Sequence, residues 1–383
     1  MSMRRPRSFH GARARSTLAV LLVASVLAGC TQGGPAAPPT AAPVHEPGSL
    51  RVTVLLDLSG PRWPNGAAQR DAIGLWSDQH ASGAPRVNLR IVDVAGSDAK
   101  TLIELRRAAV EQGADAIVIG AALDYDAVPQ AVQLTQRPVL FTQSIPDPAT
   151  AGGGWAFALA PTPGQIARAV LDDAAARAVL TSAVILSDES ASAIRERAAL
   201  AAELARRGVT PAVMNLGSSD AAAVRQKLAS APVAFFAGTP RPYLDLARGA
   251  SPGTLLYFSY LCGNADLADL RETSAFAIWP ATRWIAVNVA PNAARASFVQ
   301  GYANRVGPPT SLAASAFDAL TLLADASEGS SDPLQLRDRL ESRTFPGVAT
   351  SYSFSATRRA GFATSDLALL RYTGARTMPV LRS

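Results

Sequence analysis

Residues 50–61 read LRVTVLLDLSGP, and this stretch decides the fold class. Arg51–Leu58 is a β-rich, mostly apolar run without strict polar alternation, the pattern of a strand buried on both faces. Ser59-Gly60-Pro61 breaks the run, and a helical segment from about Gly66 to His80 follows. Strand, turn and helix make one α/β unit, and the chain repeats it. Val87–Val94 (VNLRIVDV) is the next strand, and Ser97 with Asp98 caps a helix that runs through Gln112 and stops at Gly113. Ala116–Ile119 and Val139–Phe141 are two further apolar strands, with a helix between them from near Asp124. Such strands, separated by helices, predict a parallel sheet covered on both faces.

The pattern then restarts. Thr162-Pro163 opens a helix with a cap and a proline at the first position. Ala183–Leu186 is a strand, Ser190–Arg207 an Ala/Arg-rich helix ending at Gly208, and Val209–Leu216 another strand. A helix from Asp220, a strand over Val233–Phe236, a helix over Tyr243–Arg248 and a strand over Thr254–Phe258 follow. Helices near Asn292–Arg305 and Leu312–Ala326 precede a C-terminal stretch that alternates like antiparallel strands. Two such series predict an α/β fold of two doubly wound, Rossmann-like lobes. Ligands of such sheets bind at the carboxyl ends of the strands, in the crevice between lobes.

The segment ahead of the fold reads as an address. Arg4, Arg5, Arg7, Arg13 and Arg15 precede the apolar Leu18–Leu27, which is too short for a permanent span. Leu27-Ala28-Gly29-Cys30 ends it and resembles the lipobox of bacterial lipoproteins. That likeness implies removal of residues 1–29 and lipidation of Cys30, with palmitate among its acyl groups. Residues 30–49 carry Pro35, Pro38, Pro39, Pro43 and Pro47 among small residues, a tether rather than a core. Extended at roughly 3.1 Å per residue, Thr31–Gly48 reaches about 55 Å. The formal charge of +6 suggests nucleic acid at first sight. Five basic residues and no acidic ones precede Cys30, so the mature chain carries 31 against 30 and no nucleic-acid footprint. Export explains the charge.

Four segments resemble the type I periplasmic binding proteins, in particular the leucine/isoleucine/valine-binding branch of ABC-importer receptors. They are Asp57–Pro61 with Gly66 and the helix to Trp76, Val92–Gly120, Ala314–Ala324 (ASAFDALTLLA) and Thr344–Phe354 (TFPGVATSYSF). The resemblance implies three hinge crossings and an interlobe cleft. It places residues 50–157 and 281–343 in the first lobe, and 158–280 and 344–383 in the second. It implies a monomer, lipid-anchored on the extracytoplasmic face of the cell membrane, that hands a small molecule to an ABC permease complex. No cofactor and no metal are expected.

The cleft residues depart from an amino-acid site. Where the family binds a ligand carboxylate with Ser hydroxyls and backbone N–H groups, the chain has Ala121-Ala122-Leu123-Asp124-Tyr125-Asp126. A like charge at about 4 Å costs roughly 4 kcal/mol at an effective dielectric near 20. If Asp124 instead caps the following helix, it uses the same donors itself. Pro146 follows Thr142-Gln143-Ser144-Ile145, and Tyr260 stands where an acidic residue would pair with an amine. A plain branched-chain amino acid is therefore not the expected ligand. The expected contacts are Ser59, Trp63, Asp124, Tyr125, Thr142, Gln143 and Ser144 from the first lobe, and Arg241 and Tyr260 from the second. Tyr243 and Trp284 add aromatic surface, whereas Trp76 and Trp155 belong to the core or lobe junction. Aromatic and polar walls suit a sugar-like, nucleoside-like or cationic molecule.

Enzyme readings fail on mechanism. Gly249-Ala250-Ser251-Pro252-Gly253 fits the G-x-S-x-G elbow, but Pro252 has no N–H to lend an oxyanion hole. His10, His45 and His80 all precede Ser251, against the order that motif requires. The competing expectation is a lipoprotein scaffold of the same fold that regulates a cell-envelope enzyme or sensor.

Overall fold

The computed structural model describes residues 48–82, 85–125, 128–151, 154–177, 180–239, 241–262, 276–283, 293–371 and 380–381. Cys30, the tether before Gly48 and Trp284 lie outside the described residues, as does the side chain of Arg241.

Strands β1 (Ser49–Leu56), β2 (Arg86–Asp93), β3 (Ala116–Ile119), β4 (Val139–Phe141) and β5 (Ala156–Ala158) form one parallel sheet in the order β2-β1-β3-β4-β5. Near-continuous apolarity puts β1 inside the sheet, because both of its faces are covered. Leu50, Val52, Val54 and Leu56 face one core layer, while Leu55 faces the other with Ile117 and Ile119. Helix α1 (Trp63–Gln79) packs on the first layer through Ile73 and Trp76. Helices α2 (Asp98–Val110) and α3 (Pro129–Thr135) pack on the second through Leu105 and Val132.

The second sheet repeats the device. Strands β6 (Val184–Ser187), β7 (Ala212–Asn215), β8 (Val233–Ala237), β9 (Leu255–Tyr257) and β10 (Phe276–Thr282) run parallel. With β13 (Leu367–Arg371) and β14 (Val380–Leu381), each antiparallel to its neighbour, the order is β14-β13-β10-β9-β8-β6-β7. Helices α4 (Pro163–Arg177), α5 (Ala191–Arg206), α6 (Ala221–Ser230) and α7 (Arg241–Ala247) belong to this lobe. The caps read from sequence form: Ser97 accepts from the Lys100 N–H, Ser190 from Ala193 and Asp220 from Ala223. Thr162 and Gln165 bond reciprocally across the start of α4, a capping box.

Three further helices, α8 (Ala293–Arg305), α9 (Ser311–Ser327) and α10 (Pro333–Ser342), return to the first sheet, where Phe298, Phe317 and Leu336 join its first core layer. The hairpin β11 (Thr344–Pro346) and β12 (Ser351–Ser353) goes with them. Its Phe345 and Tyr352, with Phe354 and Phe362, are buried among the residues of β1 and α1. Residues 344–362 therefore pack on the first sheet, and the return to the second falls between Phe362 and Leu367 instead of at 344. The resemblance implied the second lobe for this hairpin, but its aromatic side chains enter the first core layer. Two smaller differences concern α3, which begins at Pro129 with Val128 at its N-cap, so Asp124 does not cap it, and β7, which begins at Ala212.

Candidate functional site

The carboxyl end of β1 is closed by the chain's own acids. Asp57 is 1% exposed. Its carboxylate accepts from the Gly96 N–H at 2.8 Å, the Ala122 N–H at 3.1 Å and Arg62 Nε at 3.1 Å. Arg62 extends the tie by donating to the carbonyls of Gly96 at 3.0 Å and Ala122 at 3.3 Å. The donors that could meet a ligand anion there are thus already met internally. Ser59 has a comparable fate, because its hydroxyl donates to Asp93 at 2.6 Å. Burial works against the Asp93 charge, but hydrogen bonds from Ser59, Ala95 and Leu58 outweigh it and hold the carboxyl below its usual range. Gly66 lets α1 come down on this end: a Cβ there would lie 2.0 Å from the Asp57 carbonyl oxygen.

Thr142, fully buried, donates its hydroxyl to Gln69, which in turn holds the Gly120 carbonyl at 2.9 Å. It is therefore part of the sheet's internal wiring. Tyr125 is also buried, edge-on to Phe141 in the core layer beneath α2 and α3, with no partner for its hydroxyl among the described residues. Burial pushes that hydroxyl well above the usual phenol range, and the Asp147 charge adds to the shift. Asp124 is exposed and Trp63 is 51% exposed at the start of α1. Tyr243 is buried, donating to the Ala237 carbonyl and accepting from the Asp188 N–H at 2.6 Å. The aromatic walls expected from sequence are mostly core.

Gln143, Ser144 and Tyr260, by contrast, come together. They line a small pocket of about 20 Å³ between the loop after β4 and the second lobe. Pro163 and Ile166 of α4, Ser192 and Glu196 of α5, and Ser259 and Leu261 after β9 complete it. Every one of these positions follows the carboxyl end of a strand, where open α/β sheets bind ligands. Gln143 is 4% exposed; its Nε2 donates to the Gly120 carbonyl at 2.6 Å, and its Oε1 has no partner among the described residues. The Ser144 hydroxyl donates to the Pro161 carbonyl at 2.7 Å. Tyr260 is 2% exposed and faces the hydroxyls of Thr282, Ser311 and Ser315, yet closes no aligned hydrogen bond. Burial pushes its phenol up to about 12.

Glu196 is the residue that sequence reasoning missed. The Gly238 N–H donates to it at 3.1 Å, and Ser259 and the Tyr260 N–H also bond it. Burial nevertheless pushes its carboxyl up to about 7, with the neighbouring Asp188 carboxylate adding in the same direction. Arg195, also missed, donates from Nη1 to the Leu123 carbonyl at 2.6 Å, tying the first turns of α5 to the loop after β3. The Ser190 cap was the available signal. It places the start of α5 at the cleft, so its next two turns deserved reading for charge.

Among the described residues, no cluster of three or more potential metal ligands occurs, and no helix is long and apolar enough to cross a membrane. The Ser251 hydroxyl donates to the Ala229 carbonyl at 2.9 Å.

The family model described as periplasmic binding protein matches residues 49–376. A leucine-binding protein, LivK, of Thermotoga maritima superposes with a TM-score of 0.73 at 16% identity, covering 87% of this chain and 98% of its own. The branched-chain amino acid transporter substrate-binding protein LivJ of Streptococcus pneumoniae, in complex with isoleucine, gives 0.71 at 16% identity, covering 87% and 99%. A solute-binding protein of an ABC transporter from R. palustris, in complex with benzoate, gives 0.70 at 18% identity, covering 87% and 96%. No curated protein matches the chain.

Proposed function

This chain belongs to the periplasmic binding protein family, and from that premise we propose that it is an extracytoplasmic solute receptor of an ABC importer. The observation that carries the reading is the small, largely apolar pocket at the carboxyl ends of both sheets, beside which Gln143 Oε1 finds no partner among the described residues. Buried polar atoms of this kind cost about 1–3 kcal/mol each when unsatisfied, so a bound solute or water has energy to gain there. Rigid lobes closing about a hinge would bury the solute and present the loaded state to a permease. The Arg195 bond to the Leu123 carbonyl is a contact made only when the lobes are together.

The solute is a small polar molecule other than a simple branched-chain amino acid. Asp57 already uses the Gly96 and Ala122 N–H groups and the Arg62 guanidinium, so a carboxylate has no evident partner at that end. Lipidation of Cys30 would anchor the chain, with residues 30–49 as the tether. A thermal-shift panel of amino acids, amines, sugars, nucleosides and aromatic acids on the purified chain tests the reading, since a bound solute stabilises by mass action. One hit that Tyr260→Phe or Gln143→Ala weakens supports it.

The small volume of the cavity favours a second reading, a cell-envelope scaffold that binds no transported solute. A panel without hits, together with capture of one membrane protein by the intact chain but not by a chain with a substituted lobe surface, would select it.

A further inference from the structure

We propose that a buried water molecule, held by the hydroxyls of Tyr260, Thr282 and Ser315, forms a pivot between the second lobe and the start of α9. The proposal rests on the reading that the lobes close about a hinge, and is independent of the solute they close on.

Helix α9 is buried along most of its length, yet it carries Ser311, Ser315 and Asp318 at spacings of four and three, which set them on one face. Polar groups buried this deeply need hydrogen-bond partners. At the far end of the stripe the first lobe supplies them. Asp318 accepts from the Val348 N–H at 2.5 Å, the Ala349 N–H at 2.6 Å and the Tyr352 hydroxyl at 3.0 Å. Gly347 makes room for this, since a Cβ there would lie 2.5 Å from an Asp318 oxygen. This end is a fixed point.

The near end differs. Leu312 packs with Ile278 and Leu369 in the core of the second lobe, whereas Ala313 and Phe317 pack in the core of the first. The boundary between the lobes thus crosses the first turn of α9. There Ser311 accepts at 3.0 Å from the N–H of Thr282, the last residue of β10. The Tyr260 hydroxyl faces Thr282, Ser311 and Ser315. Among the described residues, the hydroxyls of Tyr260, Thr282 and Ser315 have no hydrogen-bond partner, and all three residues are at most 2% exposed. Folded chains rarely leave so many buried hydroxyls unanswered at one point. A buried water makes about three hydrogen bonds to groups of this kind, so one molecule can answer all of them.

Place and chemistry together make the cluster a pivot. A hydroxyl can turn its proton and can accept as well as donate. The bridged groups can therefore exchange partners as Tyr260 moves across α9, whereas interdigitated apolar side chains fit one lobe angle. Asp318 holds the rest of the helix to the hairpin segment, so the turn is taken up at the start of α9.

The test uses the near-isosteric variants Tyr260→Phe, Thr282→Val and Ser315→Ala, singly and together, in the purified chain without solute. Each single variant should raise the unfolding constant in urea by about two- to tenfold, the range of one net hydrogen bond. The triple variant should raise it by much less than the product of the three, because the first deletion already breaks the shared bridge. Hydroxyls that bond nothing would leave every single variant at least as stable as the parent, and that result overturns the proposal. Spin labels on exposed positions of α2 and α6 report the interlobe distance by pulsed-dipolar measurement. The parent should give a broad distribution and the triple variant a narrower one; equal widths overturn the pivot. A high-resolution crystal structure should place one water within hydrogen-bond reach of the Tyr260, Thr282 and Ser315 oxygens, and hydroxyls bonded directly to one another would contradict it. All three measurements are made without solute, so their failure removes the pivot and leaves the receptor reading to its own panel.

Discussion

Replacing Asp57 with Asn keeps the shape of the side chain and removes its charge, which isolates what that charge does. One oxygen accepts from the Gly96 N–H, and the other accepts from both the Ala122 N–H and Arg62 Nε. An amide offers a single acceptor atom, so whichever way it turns, its NH₂ faces at least one N–H donor. The Arg62 side chain, 16% exposed beside a carboxylate that is 1% exposed, loses its counter-charge. Breaking a buried pair from one side costs about 3–5 kcal/mol. The carbonyls of Gly96 and Ala122 still hold the guanidinium, so the lower end, about 3 kcal/mol, is expected. At roughly 2–4 °C per kcal/mol, the melting temperature should fall by about 6–12 °C. Urea denaturation gives the free energy, and a cycle with Arg62→Met apportions it. Asp57→Ala adds a second readout: acetate should restore part of the lost melting temperature by occupying the vacated donors, and should leave the parent chain unmoved. An Asn variant within about 0.5 kcal/mol of the parent, the spread of ordinary surface changes, would refute the assignment of Asp57 as the internal occupant of this site.

Three other expectations follow from named contacts. Arg195→Ala removes the bond to the Leu123 carbonyl and should shift the lobes toward an open form; small-angle scattering should show a larger radius of gyration, and an unchanged radius contradicts the tie. Gly66→Ala places a Cβ 2.0 Å from the backbone oxygen of Asp57, so α1 must move off β1. Its expected cost is at least about 2–3 kcal/mol by overpacking, and near-parental urea stability would show that α1 has room to shift. Glu196, whose carboxyl sits at about 7 when folded against 4.5 as the ordinary value, holds a proton that the unfolded chain releases. Its contribution to stability is fully present below about pH 4.5 and is lost as pH rises through 7, at no more than about 1.4 kcal/mol per pH unit. Urea midpoints at pH 5 and pH 8 should therefore differ less in Glu196→Gln than in the parent. Asp318, also raised to about 7 by burial, adds the same slope to both chains and cancels from the comparison.

The sheets were legible because burial on two faces leaves a plain trace. Apolar runs such as Val54–Leu56 and Val233–Ala237 admit few other placements, and caps at Ser97, Ser190 and Asp220 fixed the helices that cover them. The hairpin of Thr344–Ser353 was assigned to the second lobe by resemblance, and its alternation says only that a strand exists, not which core its aromatic face enters. The cleft was legible only in part. Loop residues after β4 and β9 were accessible to the rule that places ligands at strand ends, and Gln143, Ser144 and Tyr260 line one pocket there. Whether a loop side chain faces the cleft or its own sheet depends on long-range partners: Thr142 turns to Gln69, 73 positions away, and Ser59 to Asp93. Glu196 escaped for the complementary reason. On a helix rich in Ala and Arg it looked like one more exposed charge, and only the approach of Gly238 and Ser259 makes it part of the cleft.

The central claim is that solute binding draws the two lobes together around Gln143, Glu196 and Tyr260. Spin labels placed on exposed positions of α2 and α6, one in each lobe, report this by pulsed-dipolar distance measurement. With a solute that the thermal panel identifies, the account predicts a shorter and narrower interlobe distance in the parent chain, and no change in Tyr260→Phe with Glu196→Gln at the same concentration. Solute bound with the distance distribution unmoved, or closure that persists undiminished in the double variant, would contradict it.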